Sequence, residues 1–343
     1  MRRGAETDGP RGMRQRTPTP TGWLRVEAFV ILAALALASC PASRSAGSSE
    51  GEAVRGTGSV DPFGVRRIYP TTAGGREWYL PANAEVEGDE WKPNDGSRGR
   101  VIATREPRIF HVEGSPRFPV VSPAGKAWWR NVEITGYFRY LATLSIDNER
   151  PGWQMFTRGE RHTQHDTIDS STVNYGVRPP SGTAMWPGYP FPAGQINAHC
   201  VATSMKGFFQ VDGAVRFKKE ISHVAGYTDA RAEVHPFPGR GSVPRNAWVG
   251  VKVVVRNSNA DRSVHMEIWM DLGGDGTWQK VTQTDDTGGW RATDAGIDGC
   301  TAAPFHYSPM QLITWAGPWA FFRFDDVSCD IKWLSVREID PLP

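Results

Sequence analysis

Period-two alternation of apolar and polar residues is the feature that most constrains the fold of this chain. In the segment Asn131–Leu141, apolar side chains occupy one face and polar ones the other, which is typical of a half-buried strand. Asp212-Gly213, between two such segments, is a hairpin signal. No helical period is sustained after Cys40, so the chain is predicted to be all-β. The predicted strands are Asn131–Leu141, Trp153–His162, Gly207–Val211, Ala214–Ile221, Trp248–Asn257, Ser263–Asp271, Trp278–Val281, Met310–Trp315, Ala320–Asp325 and Asp330–Ile339.

Composition agrees with many short strands. The 37 glycines and 26 prolines predict many turns and few long helices. Since 39 Lys and Arg stand against 37 Asp and Glu, the net charge is only +2, and no nucleic-acid partner is predicted. The 14 tryptophans exceed the needs of one core and favour flat apolar ligands such as sugar rings.

The N-terminus has the features of an export signal. An Arg-rich lead precedes the apolar run Ala28–Ala38, which is too short to span a bilayer comfortably. The run ends in Leu37-Ala38-Ser39-Cys40, which resembles the lipobox of bacterial lipoproteins. That resemblance implies lipidation of Cys40 and anchoring to a bacterial membrane, facing the periplasm or the cell surface. The alternative is an ordinary signal peptide with a chance cysteine.

The rest of the chain divides into a tether and one domain. Residues 41–65 are rich in Ser, Gly and Ala and are predicted to be a flexible linker. Residues 66–343 are predicted to form the folded domain, which is large enough for one all-β unit.

Three cysteines remain after Cys40. Export permits a disulfide, and Cys200–Cys300 is the predicted pair because both lie in loops containing Gly or Ala. Cys329 lies in or beside the last strand. Three free buried thiols are the alternative, and no spacing typical of a zinc site is present.

Residues opposite the apolar faces are repeatedly Arg, Lys, Glu, His, Tyr and Trp. If the strands that carry them are neighbours, one sheet presents a wide charged and aromatic surface, and bending of that sheet would make it a groove. A solvated face with weak cross-strand ion pairs is an equally supported interpretation.

Four segments resemble the concanavalin A-like β-jelly-roll class, over roughly Trp128–Glu338. They are Trp129–Tyr137, Arg158–His162, Val215–Glu220 and Met266–Asp271. The resemblance implies a jelly-roll β-sandwich of two antiparallel sheets, one of them concave. Alginate and glucuronan lyases, β-glucanases and lectin-like modules use this class of fold.

The catalytic motifs of two enzyme groups in that class are not matched. The chain lacks the Glu-x-Asp-x-Glu strand of the retaining β-glucanases. Arg158-Gly159-Glu160-Arg161 lacks the Arg-x-Glu-x-Arg spacing of the alginate lyases, and Gln195-Ile196-Asn197 has Asn in place of their His.

Cleavage of a uronate polymer by β-elimination needs a cation for the carboxylate, a base for the α-proton and an acid for the leaving oxygen. Arg158, Arg216 and Lys218 are the predicted carboxylate-binding residues, and Tyr137 with His162 is the predicted proton-transfer pair. His223 with Tyr227 is a second option, and a structural role for His162 is the alternative. The predicted substrate-binding residues are Glu220, Lys252, His265, Glu267, Trp269, Trp186 and Tyr227, with Tyr189 and Trp290 as further aromatic candidates.

Asp271–Gly276 resembles the start of a calcium-binding loop. The twelfth position, which should be a bidentate acid, is Thr282, so a hairpin turn explains the segment better. No metal or cofactor is therefore predicted, with a structural calcium ion as the alternative.

The sequence predicts a monomeric, surface-anchored lipoprotein that binds an acidic polysaccharide, and it leaves open whether the protein also cleaves that polysaccharide by β-elimination. A non-catalytic carbohydrate-binding module is the first alternative. A structural cell-envelope lipoprotein that contacts a protein partner is the second.

Overall fold

Extended strands make up nearly all the regular structure of the described residues. The computed structural model describes residues 53–54, 58–91, 93, 98–121, 129–144, 151–159, 204–220, 227–291, 312–314, 316–317 and 319–343. All of them belong to one contact unit, Ser49–Pro343. Within these ranges, no helix has the length and apolar character needed to cross a bilayer.

The described strands number fifteen, and a 3-10 turn at Pro238–Arg240 lies between two of them. In chain order the strands are β1 (Ala53–Val54), β2 (Glu77–Tyr79), β3 (Arg98–Ala103), β4 (Phe110–Ser115), β5 (Arg117–Val121), β6 (Val132–Thr143), β7 (Gly152–Gly159), β8 (Ser204–Gln210), β9 (Val215–Glu220), β10 (Arg231–Val234), β11 (Trp248–Ser258), β12 (Ser263–Asp271), β13 (Trp278–Asp286), β14 (Trp319–Asp325) and β15 (Val327–Glu338).

These strands form two antiparallel sheets. The nine-stranded sheet has the order β1-β13-β12-β11-β6-β15-β4-β3, with β2 also paired to β15. The six-stranded sheet has the order β10-β9-β8-β7-β14-β5. The chain crosses between the sheets at β4–β5, β5–β6, β6–β7, β10–β11, β13–β14 and β14–β15. The predicted fold class, an all-β jelly-roll sandwich of two antiparallel sheets, is confirmed.

The hydrophobic core lies between the two sheets and follows the predicted alternation. The apolar positions of the predicted strands are almost wholly buried in one cluster; among them are Val132, Ile134, Phe138, Tyr140, Val215, Phe217, Val264, Met266, Ile268 and Met270. A Cβ on Gly207 of β8 would lie 2.6 Å from a methyl of Val253 in β11. The facing sheets therefore touch at this point, where only glycine fits without a shift.

Two parts of the strand prediction differ from the structure. Residues 312–314, inside the predicted strand Met310–Trp315, are not in a strand. The sequence does not predict β1 to β5 or β10; Gly99, Gly114, Pro116 and Pro119 interrupt the alternation of β3 to β5.

Cys329 lies in β15, is fully buried between the sheets and has a free thiol. Burial raises the pKa of this thiol well above its usual range, so it behaves as a small apolar core residue. The cysteines predicted to form a disulfide, Cys200 and Cys300, lie outside the described residues.

Residues 58–76 form a segment, here called the N-terminal strap, that lies on the outer face of the nine-stranded sheet and leads into β2. Its Val65 is buried in a second apolar cluster with Tyr137, Trp269 and Trp278 of that sheet. Asp61 accepts hydrogen bonds from the backbone N–H groups of Phe63 and Val65, 2.9 and 2.8 Å away. Residues 58–65, predicted as tether, are therefore part of the strap.

A buried carboxylate fixes the strap to the sheet. Glu133 of β6 accepts backbone hydrogen bonds from Ile68 and Tyr69 of the strap, at 3.1 and 3.0 Å. Its charge is balanced by Lys252 Nζ at 2.9 Å and an Arg337 nitrogen at 2.8 Å. Burial opposes ionisation, but the charges of Lys252 and Arg337 outweigh it and lower the pKa of Glu133. One carboxylate thus joins three strands and the strap.

Replacing Glu133 by Gln should destabilise the domain by roughly 3–5 kcal/mol, because Lys252 and Arg337 then remain buried without a counter-charge. The free energy of unfolding, from urea denaturation, measures the change. Glu113→Gln is the matched control, since Glu113 pairs with Arg100 on the same sheet but in solvent, and it should leave the free energy of unfolding nearly unchanged. Equal losses in the two variants would contradict the anchoring role.

Candidate functional site

The predicted site residues lie on two opposite faces of the sandwich. Arg216, Lys218 and Glu220 alternate with the core residues of β9 and point outward from the six-stranded sheet. Five others point outward from the nine-stranded sheet; they are Tyr137, Lys252, His265, Glu267 and Trp269. The hydrophobic core separates the two sets, so the expectation that they share one groove is wrong.

The nine-stranded set is packed under the strap and does not form an open groove. Glu267 accepts hydrogen bonds from the Tyr69 hydroxyl of the strap (2.9 Å) and from Trp269 Nε1 (2.7 Å). His265 Nε2 lies 3.1 Å from the same carboxylate. Burial opposes ionisation of Glu267, but these hydrogen bonds outweigh it and lower its pKa to about 2. Glu267, His265, Trp269 and Lys252 therefore hold the strap, and the substrate-binding role predicted for them is not supported.

Tyr137, predicted as a proton-transfer residue, is buried and engaged. Its hydroxyl donates to Asp271 Oδ2 at 2.8 Å, and burial followed by the Asp271 charge raises its pKa. Asp271 also accepts the backbone N–H groups of Asp275 (3.1 Å) and Gly276 (2.7 Å). The Asp271–Gly276 segment is thus a hairpin turn between β12 and β13. Among the described residues, no group of three His, Cys, Asp or Glu side chains is placed to hold a metal ion.

Arg158 does not reach the outer face with Arg216. It stands at a bulge in β7 with a left-handed φ of 59°. Its Nε donates to the carbonyl of Arg130 at 2.8 Å, and another nitrogen donates to the carbonyl of Ile313. Burial lowers its pKa to about 9. Its described contacts tie chain segments together, which corrects the expectation that it binds a substrate carboxylate on that face.

Several predicted residues lie outside the described ranges. These are Cys40, His162, Trp186, Tyr189, Cys200, His223 and Cys300. Trp290, a candidate sugar platform, is described and almost fully buried.

The outer face of the six-stranded sheet carries a polar row that crosses five adjacent strands, β9 to β5. Cross-strand register places its members side by side, in the order Arg216, Phe208, Gln154, Arg323, Arg117. At a strand spacing of about 4.8 Å, the row is roughly 19 Å long. We call these five residues the polar row.

Asp325 lies on the same face as the polar row, two residues after Arg323 in β14. Its carboxylate accepts hydrogen bonds from Gln154 Nε2 (2.8 Å), Arg323 Nε (3.0 Å) and an Arg117 nitrogen (3.2 Å). Burial opposes ionisation of Asp325, but Arg323 and Arg117 outweigh it and lower its pKa. The row therefore holds two guanidinium groups and an amide in fixed positions.

Three ionisable groups lie beside the polar row. Lys206 and Glu220, both fully buried, form an ion pair across β8 and β9. The ammonium of Lys206 lies 4.8 Å from the ring centre of Tyr227. Burial lowers the pKa of Lys206 to about 8, although Glu220 opposes this, and burial with the Glu220 charge raises the pKa of Tyr227. Lys206 and Tyr227, two groups with shifted pKa values, thus lie beside the cations of the polar row.

Aromatic side chains cover the adjoining part of the same face. Phe156 and Phe321 stack with ring centres 4.8 Å apart, and Trp319 lies 5.2 Å from Phe321. With Val121 they form an apolar cluster separate from the main core. All four side chains are buried, with 2% exposure or less, so this cluster packs the adjoining part of the face and presents no open aromatic surface.

The accessible end of the polar row is at β8 and β9. Phe208 and Lys218 are half-buried there, and the Lys218 ammonium lies 5.7 Å from the Phe208 ring centre. Arg216 is 5% exposed and donates to Glu233 at 2.6 Å, and the Glu233 side chain is 43% exposed. Of the predicted residues, this face brings together Arg216, Lys218, Glu220 and Tyr227.

Sequence analysis missed Lys206, Arg117, Arg323 and Asp325. Phe321, Arg323 and Asp325 share one face of a predicted strand, so alternation alone could have found the β14 residues. Arg117 belongs to a strand that the sequence did not predict.

Comparison with known proteins finds solved structures that share low sequence identity with this chain. No family model and no curated protein matches the chain. Among solved structures, it is similar to a Bacillus subtilis protein of unknown function with a galectin-like fold (14% identity, 80% of this chain, 100% of that chain, TM-score 0.39). It is also similar to the exoplasmic/lumenal domain of VIP36 in a Ca²⁺/Man-bound form (10% identity, 73% of this chain, 83% of that chain, TM-score 0.38). A third similar structure is peanut lectin (11% identity, 78% of this chain, 99% of that chain, TM-score 0.38). These values assign no ligand to this chain.

The stability that His265 adds should depend on pH. Its hydrogen bond to Glu267 raises its pKa, burial opposes this, and Asp285, 2.7 Å from Nδ1, adds to the rise. The folded protein therefore favours the protonated form, and this contribution is complete below about pH 6.5 and lost as pH rises through the folded pKa. Urea unfolding of the parent and of His265→Gln should show a stability difference that shrinks from pH 6 to about pH 9. A pH-independent difference would contradict this.

Proposed function

We propose that this domain binds an acidic carbohydrate along the polar row of the six-stranded sheet. The observation that carries the proposal is the in-register placement of Arg216, Gln154, Arg323 and Arg117 across adjacent strands. Guanidinium groups bind carboxylates in a bidentate manner, and amides bind hydroxyl groups. The row is long enough for several sugar units.

Charge balance on this face favours a sugar over a denser polyanion. Asp325 and Glu220 lie among the cations of the face and would repel a chain with a charge on every unit, such as nucleic acid. Phe208, half-buried at the accessible end, offers part of its ring to a pyranose face.

Cleavage by β-elimination is a second candidate, favoured by Lys206 and Tyr227. In this reaction a base removes the proton α to the carboxylate, the bond to the leaving oxygen breaks with formation of a double bond, and an acid protonates that oxygen. Lys206, whose pKa of about 8 makes the neutral amine available as pH rises, is the candidate base and Tyr227 the candidate acid, while Arg323 binds the carboxylate. This set replaces Tyr137, which lies on the other sheet.

For localisation, the proposal keeps the anchor predicted from the sequence. The apolar run ending at Cys40 supports export and lipid attachment to a bacterial membrane, with residues 41–57 as the connection to the strap. In this arrangement the domain acts on polysaccharide at the envelope as a monomer.

Arg216→Ala should weaken binding of alginate, glucuronan or pectin about tenfold or more, because one charge-assisted contact is lost. Retardation of the protein in gels that contain each polymer measures the affinity. Arg100→Ala is the matched control, since Arg100 also pairs with an outward Glu of a neighbouring strand but lies on the other sheet.

Equal retardation of Arg216→Ala and the parent protein would reject the site. The same incubations are followed by absorbance of unsaturated uronate. A rise that Tyr227→Phe abolishes supports elimination. Retardation without any rise supports a module that binds only.

Cys40→Ser should move the protein from the membrane fraction to the soluble exported fraction, since the residue that would carry the lipid is removed. Detergent phase partitioning of the parent and the variant measures this. Cys329→Ser, at a buried core position, is the control and should not change partitioning. Identical partitioning of Cys40→Ser and the parent would contradict lipidation at Cys40.

A further inference from the structure

A bulge in β15 turns two successive side chains to the same outer surface of the nine-stranded sheet. Ile331 and Leu334 both enter the core, although they are three positions apart, and the register with β6 shifts between Lys332 and Ser335. Lys332 and Trp333 therefore both lie on the outer side. Trp333 has a φ of 56°, which is costly for a bulky residue, and such bulges often re-aim side chains at functional surfaces.

The bulge places the Lys332 ammonium between two indole rings. The Nζ atom is 3.8 Å from the ring centre of Trp333 and 4.3 Å from that of Trp248 in β11. Both tryptophans and the lysine are half-buried. Tyr137 forms the floor of this group, with its ring 5.6 Å from Nζ and 5.1 Å from the Trp333 ring.

Lys332 differs from the other half-buried cations nearby in its counter-charges. The Arg139 guanidinium carbon lies 4.9 Å from the Trp248 ring centre, and Arg139 pairs with Asp330 and Glu106. Among the described residues, no carboxylate lies within 4.0 Å of the Lys332 ammonium. A partly desolvated ammonium held only by aromatic rings attracts an anion more strongly than a paired one.

The surrounding turn holds Trp248 in place. Gly274, in the turn between β12 and β13, has a φ of 67°, and a Cβ there would lie 2.7 Å from the carbonyl oxygen of Trp248. Close contact of this turn with the Trp248 backbone limits movement of the indole. The group is therefore a preformed surface of two indoles and a central cation.

We infer that Lys332, Trp248 and Trp333 form a second carbohydrate site, specific for a uronate unit. The carboxylate of the sugar pairs with the Lys332 ammonium, and the sugar ring contacts the exposed edges of the two indoles. Trp248 and Trp333 pack against the apolar cluster that the strap covers, and all three side chains remain only half-buried. The site lies on the opposite face of the sandwich from the polar row, and its existence does not depend on binding there.

Isothermal titration with trigalacturonate tests the inference. We expect the parent to bind, and Lys332→Gln to lose this site with an affinity drop of roughly tenfold to a hundredfold, typical of a charged hydrogen bond. Lys280→Gln is the matched control. Lys280 also lies over an indole, 5.7 Å from the Trp269 ring centre, but has a carboxylate partner, Glu267, at 3.5 Å. A neutral trisaccharide and acetate, which separate the sugar and the charge, should bind far more weakly.

Trp333→Asn gives an independent reading, because Asn tolerates the left-handed backbone and preserves the bulge while it removes the indole. It should weaken trigalacturonate binding although the unfolding transition stays cooperative. Binding by Lys332→Gln equal to that of the parent overturns the inference. The polar row is judged separately by Arg216→Ala: a site lost in Lys332→Gln but kept in Arg216→Ala supports the second site alone. No binding of trigalacturonate by the parent rejects the second site, whereas the polar row is rejected only by the gel retardation experiment.

Discussion

Alternation of side chains in two packed sheets determines where any site on this molecule can be. Each strand sends one set of side chains into the core and the other to one outer face, so polar residues of different strands meet only if the strands share a sheet. Arg216 and Glu267 both point outward, but from opposite sheets. The core between them means that no single groove can use both.

The two outer faces have different roles because the strap occupies one of them. On the nine-stranded sheet, Glu133 and Glu267 accept hydrogen bonds from strap residues, and both carboxylates are kept ionised in spite of burial. The cations and the indole beside these two carboxylates take part in the same contact. On the six-stranded sheet, comparable charges are arranged in a row across the strands with a buried apolar cluster beside them, and the proposed carbohydrate site rests on this row.

Much of the fold follows from local sequence, whereas the site depends on long-range pairing. The apolar faces of β6, β9 and β12 were predictable, because alternation is a property of each strand alone. Which sheet a strand joins is decided by crossovers between distant segments, so sequence analysis placed Tyr137 with Arg216 wrongly. The bulge at Trp333 was also beyond prediction, since strict alternation places that residue beside Ile331 in the core. Arg323 and Asp325 were within reach of the alternation argument.

A crystal structure of the domain with a bound uronate oligosaccharide is the most direct test of the account. We predict sugar density along the outer face of the six-stranded sheet, with a carboxylate beside the Arg216 or Arg323 guanidinium and a ring against Phe208. Density at the indole pair of the other sheet as well would agree with this account. Saccharide bound only to the loops at an end of the sandwich, with the polar row empty, would contradict it.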